Sequence, residues 1–162
     1  MKYFSFLFIA LFISGCNNND AQTAFEREAY GLVENITETD FQGNIISVDA
    51  DDWRISPLYT GLATVEPVFP NPLPYGSART GELILQMKGG LSSSFAELGY
   101  LDFNNRWTQL DFKENIIEFS DNVFRVNAEE FGSTPELARG IYRLLLFDGN
   151  QRIITYGDIM IE

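Results

Sequence analysis

Three short segments that can reverse the chain sharply constrain its fold more than any other feature. Phe41-Gln42-Gly43-Asn44 lies between Ile36-Thr37 and Ile45-Ile46, Asn104-Asn105 between Tyr100-Leu101 and Trp107-Thr108, and Asp148-Gly149-Asn150 between Leu144-Leu145-Leu146-Phe147 and Ile153-Ile154. Asn, Asp and Gly tolerate the positive φ that tight hairpins need, so each segment reads as a hairpin turn. Residues 82–88 alternate, with Leu83, Leu85 and Met87 on one face and Glu82, Gln86 and Lys88 on the other, the pattern of a half-buried strand. Phe95 to Phe103, Trp107 to Phe112, Ile116 to Phe119 and Val123 to Val126 supply further short strands. Residues 141–147 are nearly all apolar, as expected for a strand inside a sandwich. Six or seven strands at this spacing predict an all-β, two-sheet antiparallel sandwich over residues 61–162.

Ahead of the sandwich, residues 23–60 read as an N-terminal extension. Thr23 can cap a helix over 23–34 in which Phe25, Ala29, Leu32 and Val33 recur near helical spacing, although Gly31 weakens it. The hairpin around residues 41–44 follows. Pro67, Pro70 and Pro72 cannot donate to a sheet and mark an edge or a bend between sheets.

Eleven Lys and Arg face 23 Asp and Glu, a net charge of −12 that repels phosphate backbones and excludes nucleic acid as a partner. With 45% hydrophobic and 14% aromatic residues the chain is too apolar for a disordered acidic tail. The absence of His removes Ser-His-Asp and Cys-His catalysis and imidazole metal sites, and the single Cys allows neither an internal disulfide nor a thiolate cluster.

Met1 and Lys2 make a short positive start before residues 3–13, which are apolar apart from Ser5. That length suits an export leader and falls short of the roughly 20 residues a membrane-spanning helix needs. The leader, residues 1–15, ends in Ile13-Ser14-Gly15 ahead of Cys16. This resembles the lipobox of bacterial lipoproteins: an aliphatic residue, two small residues, then Cys. The resemblance implies a diacylglycerol on the Cys16 thiol, cleavage before Cys16 and acylation of the new amine. Two or three acyl chains, at about 0.8 kcal/mol per buried methylene, would hold the chain firmly to a membrane. Residues 16–22 then read as a flexible polar tether, and Asn17, where inner-membrane lipoproteins carry Asp, implies outer-membrane delivery.

Val65-Glu66-Pro67-Val68-Phe69-Pro70-Asn71-Pro72, followed by strands and by Arg139-Gly140-Ile141-Tyr142-Arg143-Leu144, resembles the immunoglobulin-like modules of flagellar-hook capping proteins and secretion-associated C-terminal domains. Those modules open the first strand with a Pro-Asn-Pro segment and the penultimate one with Gly-x-Tyr. The resemblance implies the fold; the ending Ile161-Glu162 lacks a basic tail, so the sorting function is not carried over.

Few side chains suggest chemistry. Asp49, Asp51 and Asp52 could supply oxygens to calcium, but an EF-hand counted from Asp49 would place Arg54 and Thr60 where Gly and Glu are required. A solvated acidic turn, with Trp53 and Arg54 packing the extension onto the sandwich, is favoured over a looser calcium site. Trp53, Tyr59, Tyr75, Tyr100 and Trp107 could form a face for sugar or protein contact, with Trp53, Trp107 and Tyr100 the first to test, against the simpler reading that they fill the interior. Asp102, Asp111, Glu114 and Glu118 offer no distinctive glycosidase pair, and Ser92-Ser93-Ser94 beside Gly89-Gly90 reads as a loop. The expectation is a non-catalytic, lipid-anchored envelope protein with a binding or structural role and an envelope protein or glycan as partner. A carbohydrate-active lipoprotein and a calcium-stabilised adhesion module are the alternatives.

Overall fold

The computed structural model describes residues 18–76, 81–90, 95–116 and 120–162. The leader, the Ile13-Ser14-Gly15-Cys16 motif, Ser92–Ser94 and residues 117–119 of the expected strand at Ile116 lie outside the described residues. The chain forms helix α1 (Asn18–Ala29), strands β1 (Glu38–Thr39), β2 (Ile45–Ser47), β3 (Ala63–Val65), β4 (Glu82–Gly89), β5 (Phe95–Leu101), β6 (Trp107–Glu114) and β7 (Asp121–Asn127), a single helical turn α2 (Pro135–Ala138), and strands β8 (Gly140–Asp148) and β9 (Ile153–Ile161).

Two antiparallel sheets make the sandwich, ordered β3-β4-β7 and β6-β5-β8-β9. Among these seven strands the first, second and fifth share one sheet and the fourth, third, sixth and seventh the other, which is an immunoglobulin-like order. Alternation builds the core between them: Leu83, Leu85 and Met87 from β4, Phe124 and Val126 from β7, and Ala96 and Leu98 from β5 are fully buried and meet Leu144, Leu146, Ile159 and Ile161. As its apolar run requires, β8 lies inside its sheet, between β5 and β9. The three hairpins fall at the expected turns. Asp102 Oδ1 accepts from the amides of Asn104 (2.8 Å) and Arg106 (2.9 Å), and Asp148 Oδ1 from those of Asn150 and Arg152 (both 2.9 Å). Each Asp thus fixes its turn through backbone donors.

The proline segment is the expected bend between sheets. Phe69 exchanges backbone hydrogen bonds with Ile84 of β4, and four residues later Leu73 lies alongside the end of β9, donating to Met160 and accepting from Glu162. The same segment helps cover the outer edge of β9. The Trp53 and Ser56 amides donate to the carbonyls of Tyr156 and Ile154, Asp52 Oδ1 accepts from the Asp158 amide (2.7 Å), and Asn71 Oδ1 accepts from that of Met160 (3.0 Å). An edge strand otherwise left open to association is closed by residues 52–56 and 71–75.

The helix starts earlier and stops sooner than its apolar spacing predicts. Residues 18–22, read from sequence as tether, are helical, and Leu32 lies beyond the helix, 86% exposed. Asp20 in the first turn and Arg27 in the last complement the helix dipole. Gln22, Phe25 and Ala29 form its buried stripe, and the Gln22 side chain accepts the Ser56 hydroxyl proton (2.7 Å), a partner 34 residues away. Phe25 and Ala29 pack with Leu145, Ile153 and Tyr156 into a second apolar layer on the outer face of the four-stranded sheet.

Candidate functional site

The residues singled out from sequence occupy three separate places. Trp53, held at φ +57°, is 5% exposed, and its indole fills the space over Gly157 on β9. It is a core residue. Tyr59 is buried as well, and the Tyr75 hydroxyl donates to the Gly132 carbonyl (3.1 Å). Tyr100 is 8% exposed and packs against Phe131 (ring centroids 5.0 Å apart) and edge-on against Tyr142 (5.5 Å), whose rings lie 4.5 Å from each other. Only Trp107 stands on the outer face of the four-stranded sheet, half-buried, edge-on to Phe147 at 5.1 Å. Gly99 makes room for it: a Cβ there would fall 2.6 Å from the indole.

The three aspartates also part company. Asp52 points inward, Oδ2 accepting from the Thr37 amide (2.6 Å) and Oδ1 from that of Asp158. Burial pushes its carboxyl up to about 6; the two amide bonds pull the other way and the nearby Asp158 charge adds to the rise. Asp49 and Asp51 line a small polar recess with Glu34, Arg143 and Asp158. Burial and the neighbouring Asp49 raise the Asp51 carboxyl, and the Arg143 guanidinium, 3.6 Å away, already supplies a countercharge. Among the described residues no group of three or more His, Cys, Asp or Glu side chains is arranged to hold a metal ion.

Two elements escape the sequence reading. Arg143 forks onto Asp158 with bonds of 2.6 and 2.7 Å, donates to the Glu28 carbonyl at the end of α1 (2.7 Å), and lies 5.0 Å from the centre of the Tyr156 ring. Burial disfavours both charges; the bond to Asp158 nevertheless lifts the Arg143 pKa, whereas burial outweighs Arg143 and leaves the Asp158 carboxyl raised. Opposite charges interrupting two apolar strands, Arg143 within Ile141–Phe147 and Asp158 within Ile153–Ile161, were the signal available in the sequence.

The second is an open groove. Because α1 covers only part of the outer sheet face, a strip beside it stays open, about 330 Å³ in volume and bordered by Tyr30, Glu97, Trp107, Phe147 and Gln151. It runs through Tyr30, Leu101 and Leu145 into a larger depression of about 660 Å³ that reaches the Tyr100-Phe131-Tyr142 cluster and the fully exposed Phe103. Asp102 and Asp111, considered as acids, are engaged elsewhere: Asp102 with Arg106 (2.8 Å), Asp111 with Lys113 (3.2 Å) and the Arg125 amide (2.9 Å). The open face presents aromatic and apolar side chains together with the Glu97 carboxylate. Compared with models of protein families, with curated proteins and with solved structures, the chain matches none.

Proposed function

We propose that the chain is a lipid-anchored cell-envelope protein, delivered to the outer membrane, whose sandwich binds a partner and carries out no catalysis. The observation that carries this reading is Cys16 directly after Ile13-Ser14-Gly15, two residues ahead of α1. A helix of 12 residues, roughly 18 Å long, leads from that anchor and is docked by Phe25 and Ala29 onto the sandwich. Acyl chains on Cys16 would therefore hold the sandwich near the membrane in a restricted orientation. The open groove beside α1 supports a binding role.

Labelling with a fatty-acid analogue and membrane fractionation test the anchor. The full chain is expected to take up label and sediment with membranes, and Cys16→Ser to do neither. A Cys16→Ser protein that still sediments with membranes would sink the reading. Crosslinking of the anchored chain in native membranes tests the binding role, a stoichiometric partner being the expected product.

A further inference from the structure

Along the outer face of β5, Glu97 is the charged side chain in an aromatic row. Its partners in register are Phe112 on β6 and Phe147 on β8, and directly opposed residues share a face of the sheet. Trp107 lies edge-on to Phe147, and Tyr30, 57% exposed, stands over the same groove. Glu97 as a residue is half-buried, and its carboxylate makes neither an ion pair nor a hydrogen bond among the described residues. A carboxylate set between aromatic rings and without a cation beside it leaves a place for a positive group, which can pair with the carboxylate and lie against the rings together. Aromatic faces attract cations in their own right, indole most strongly.

We propose that this groove is a receptor for a cationic side chain, with Glu97 as its counter-ion and Trp107, Phe147 and Tyr30 as its walls, and that its occupant is a basic segment of a partner polypeptide. Charge complementarity selects that occupant. A chain carrying a net charge of −12 draws basic partners toward its surface. A neutral sugar could stack on Trp107 but would leave Glu97 without a countercharge. The groove is open and elongated and borders a second depression, which suits a segment of polypeptide better than an enclosed small cation. This inference deepens the binding role proposed above. It is independent of the anchor, so its failure and the failure of lipidation are read in different assays.

The test is titration of the full chain with an Arg/Lys-rich peptide, followed by calorimetry and by tryptophan fluorescence. Trp107 supplies the responsive indole, Trp53 being buried. Glu97→Gln is expected to weaken binding at least tenfold and Trp107→Leu to weaken it severalfold. Glu129→Gln, the same change of charge outside the groove, should weaken it less than twofold. Equal losses in Glu97→Gln and Glu129→Gln would reduce the attraction to bulk charge and overturn the proposal, as would absence of binding. Binding of tetramethylammonium as tight as that of the peptide would replace a polypeptide occupant with a small cation. Neutral oligosaccharide binding that needs Trp107 and ignores Glu97→Gln would overturn it in favour of a glycan.

Discussion

Asn71 holds three segments of backbone with one side chain, and its removal is the sharpest test of how the extension and the sandwich cohere. The residue is fully buried. Its Nδ2 donates to the carbonyls of Thr37 (2.7 Å) and Asp158 (3.0 Å), and its Oδ1 accepts from the Met160 amide (3.0 Å). Asn71→Ala strips a partner from two buried carbonyls and one partly buried amide, each worth up to about 1–3 kcal/mol when left unsatisfied. A water entering the vacated space could satisfy part of this set. The expected loss is therefore about 3 kcal/mol with water present and about 6 without, a large share of the roughly 5–15 kcal/mol that stabilises a domain. Urea unfolding measures it, and faster exchange of the Met160 amide would localise it. Asn71→Asp should be worse at neutral pH, because a carboxylate oxygen would face both carbonyls, and should recover in acid when a proton restores one donor. A loss below about 1 kcal/mol in Asn71→Ala, or an unperturbed Asn71→Asp at neutral pH, would refute the reasoning.

Gly157→Ala would place a Cβ 2.3 Å from the Trp53 ring, costing about 1–3 kcal/mol by overpacking; a smaller residue at 53 should recover part of that loss, and simple additivity of the two changes would contradict the contact. Asp52 sits at about 6 in the folded chain against an ordinary 3.8. Its proton therefore stabilises the fold fully below about 4, and that stabilisation is lost as pH rises through 6. The melting temperature of the native chain should accordingly gain on that of Asp52→Asn as pH is lowered from 7 to 5; a gain in the opposite direction would show that the two amide bonds outweigh burial. Calcium should leave the melting temperature where a chelator leaves it, because the Arg143 guanidinium already stands 3.6 Å from Asp51 and both Asp52 oxygens accept from backbone amides. A rise of several degrees would establish a bound ion.

The sandwich was legible because its information is local. Leu83, Leu85 and Met87 alternate within one strand, and Asp102 and Asp148 fix their turns through amides two and four residues away. The start of α1 was not legible, because Gln22 joins a buried stripe only through Ser56, a residue that the helical period does not include. The aromatic candidates were separated by the same kind of distant fact. Trp53 disappears into the core because Gly157, 104 positions later, leaves it a space, and Trp107 stays on the surface layer because Gly99 gives it a shelf. The open groove had no sequence signature, since it exists only where α1 ends its coverage of β8 and β5. Glu97 is flanked by Phe112 and Phe147, 15 and 50 positions later, a neighbourhood that no local pattern in the sequence records.

The way the edges are closed narrows where recognition can take place. Backbone and side-chain partners from residues 52–56 and 71–75 occupy the outer side of β9, so a partner adding a strand there would first have to displace Asp52, Asn71 and Leu73. Near the opposite edge, Asp111 of β6 accepts from the Arg125 amide of β7 and pairs with Lys113, which ties the two sheets together and places charge along a strand that would otherwise invite pairing. On this sheet, then, strand addition would have to disturb contacts at either edge. The outer face of the four-stranded sheet is different: α1 shields Tyr156 and Ile153 but leaves Glu97, Trp107 and Phe147 along an open strip. A partner reading side chains on that face needs no local unfolding, which is why the groove beside α1, ahead of either edge of this sheet, is the surface on which a binding role for this chain should first be sought.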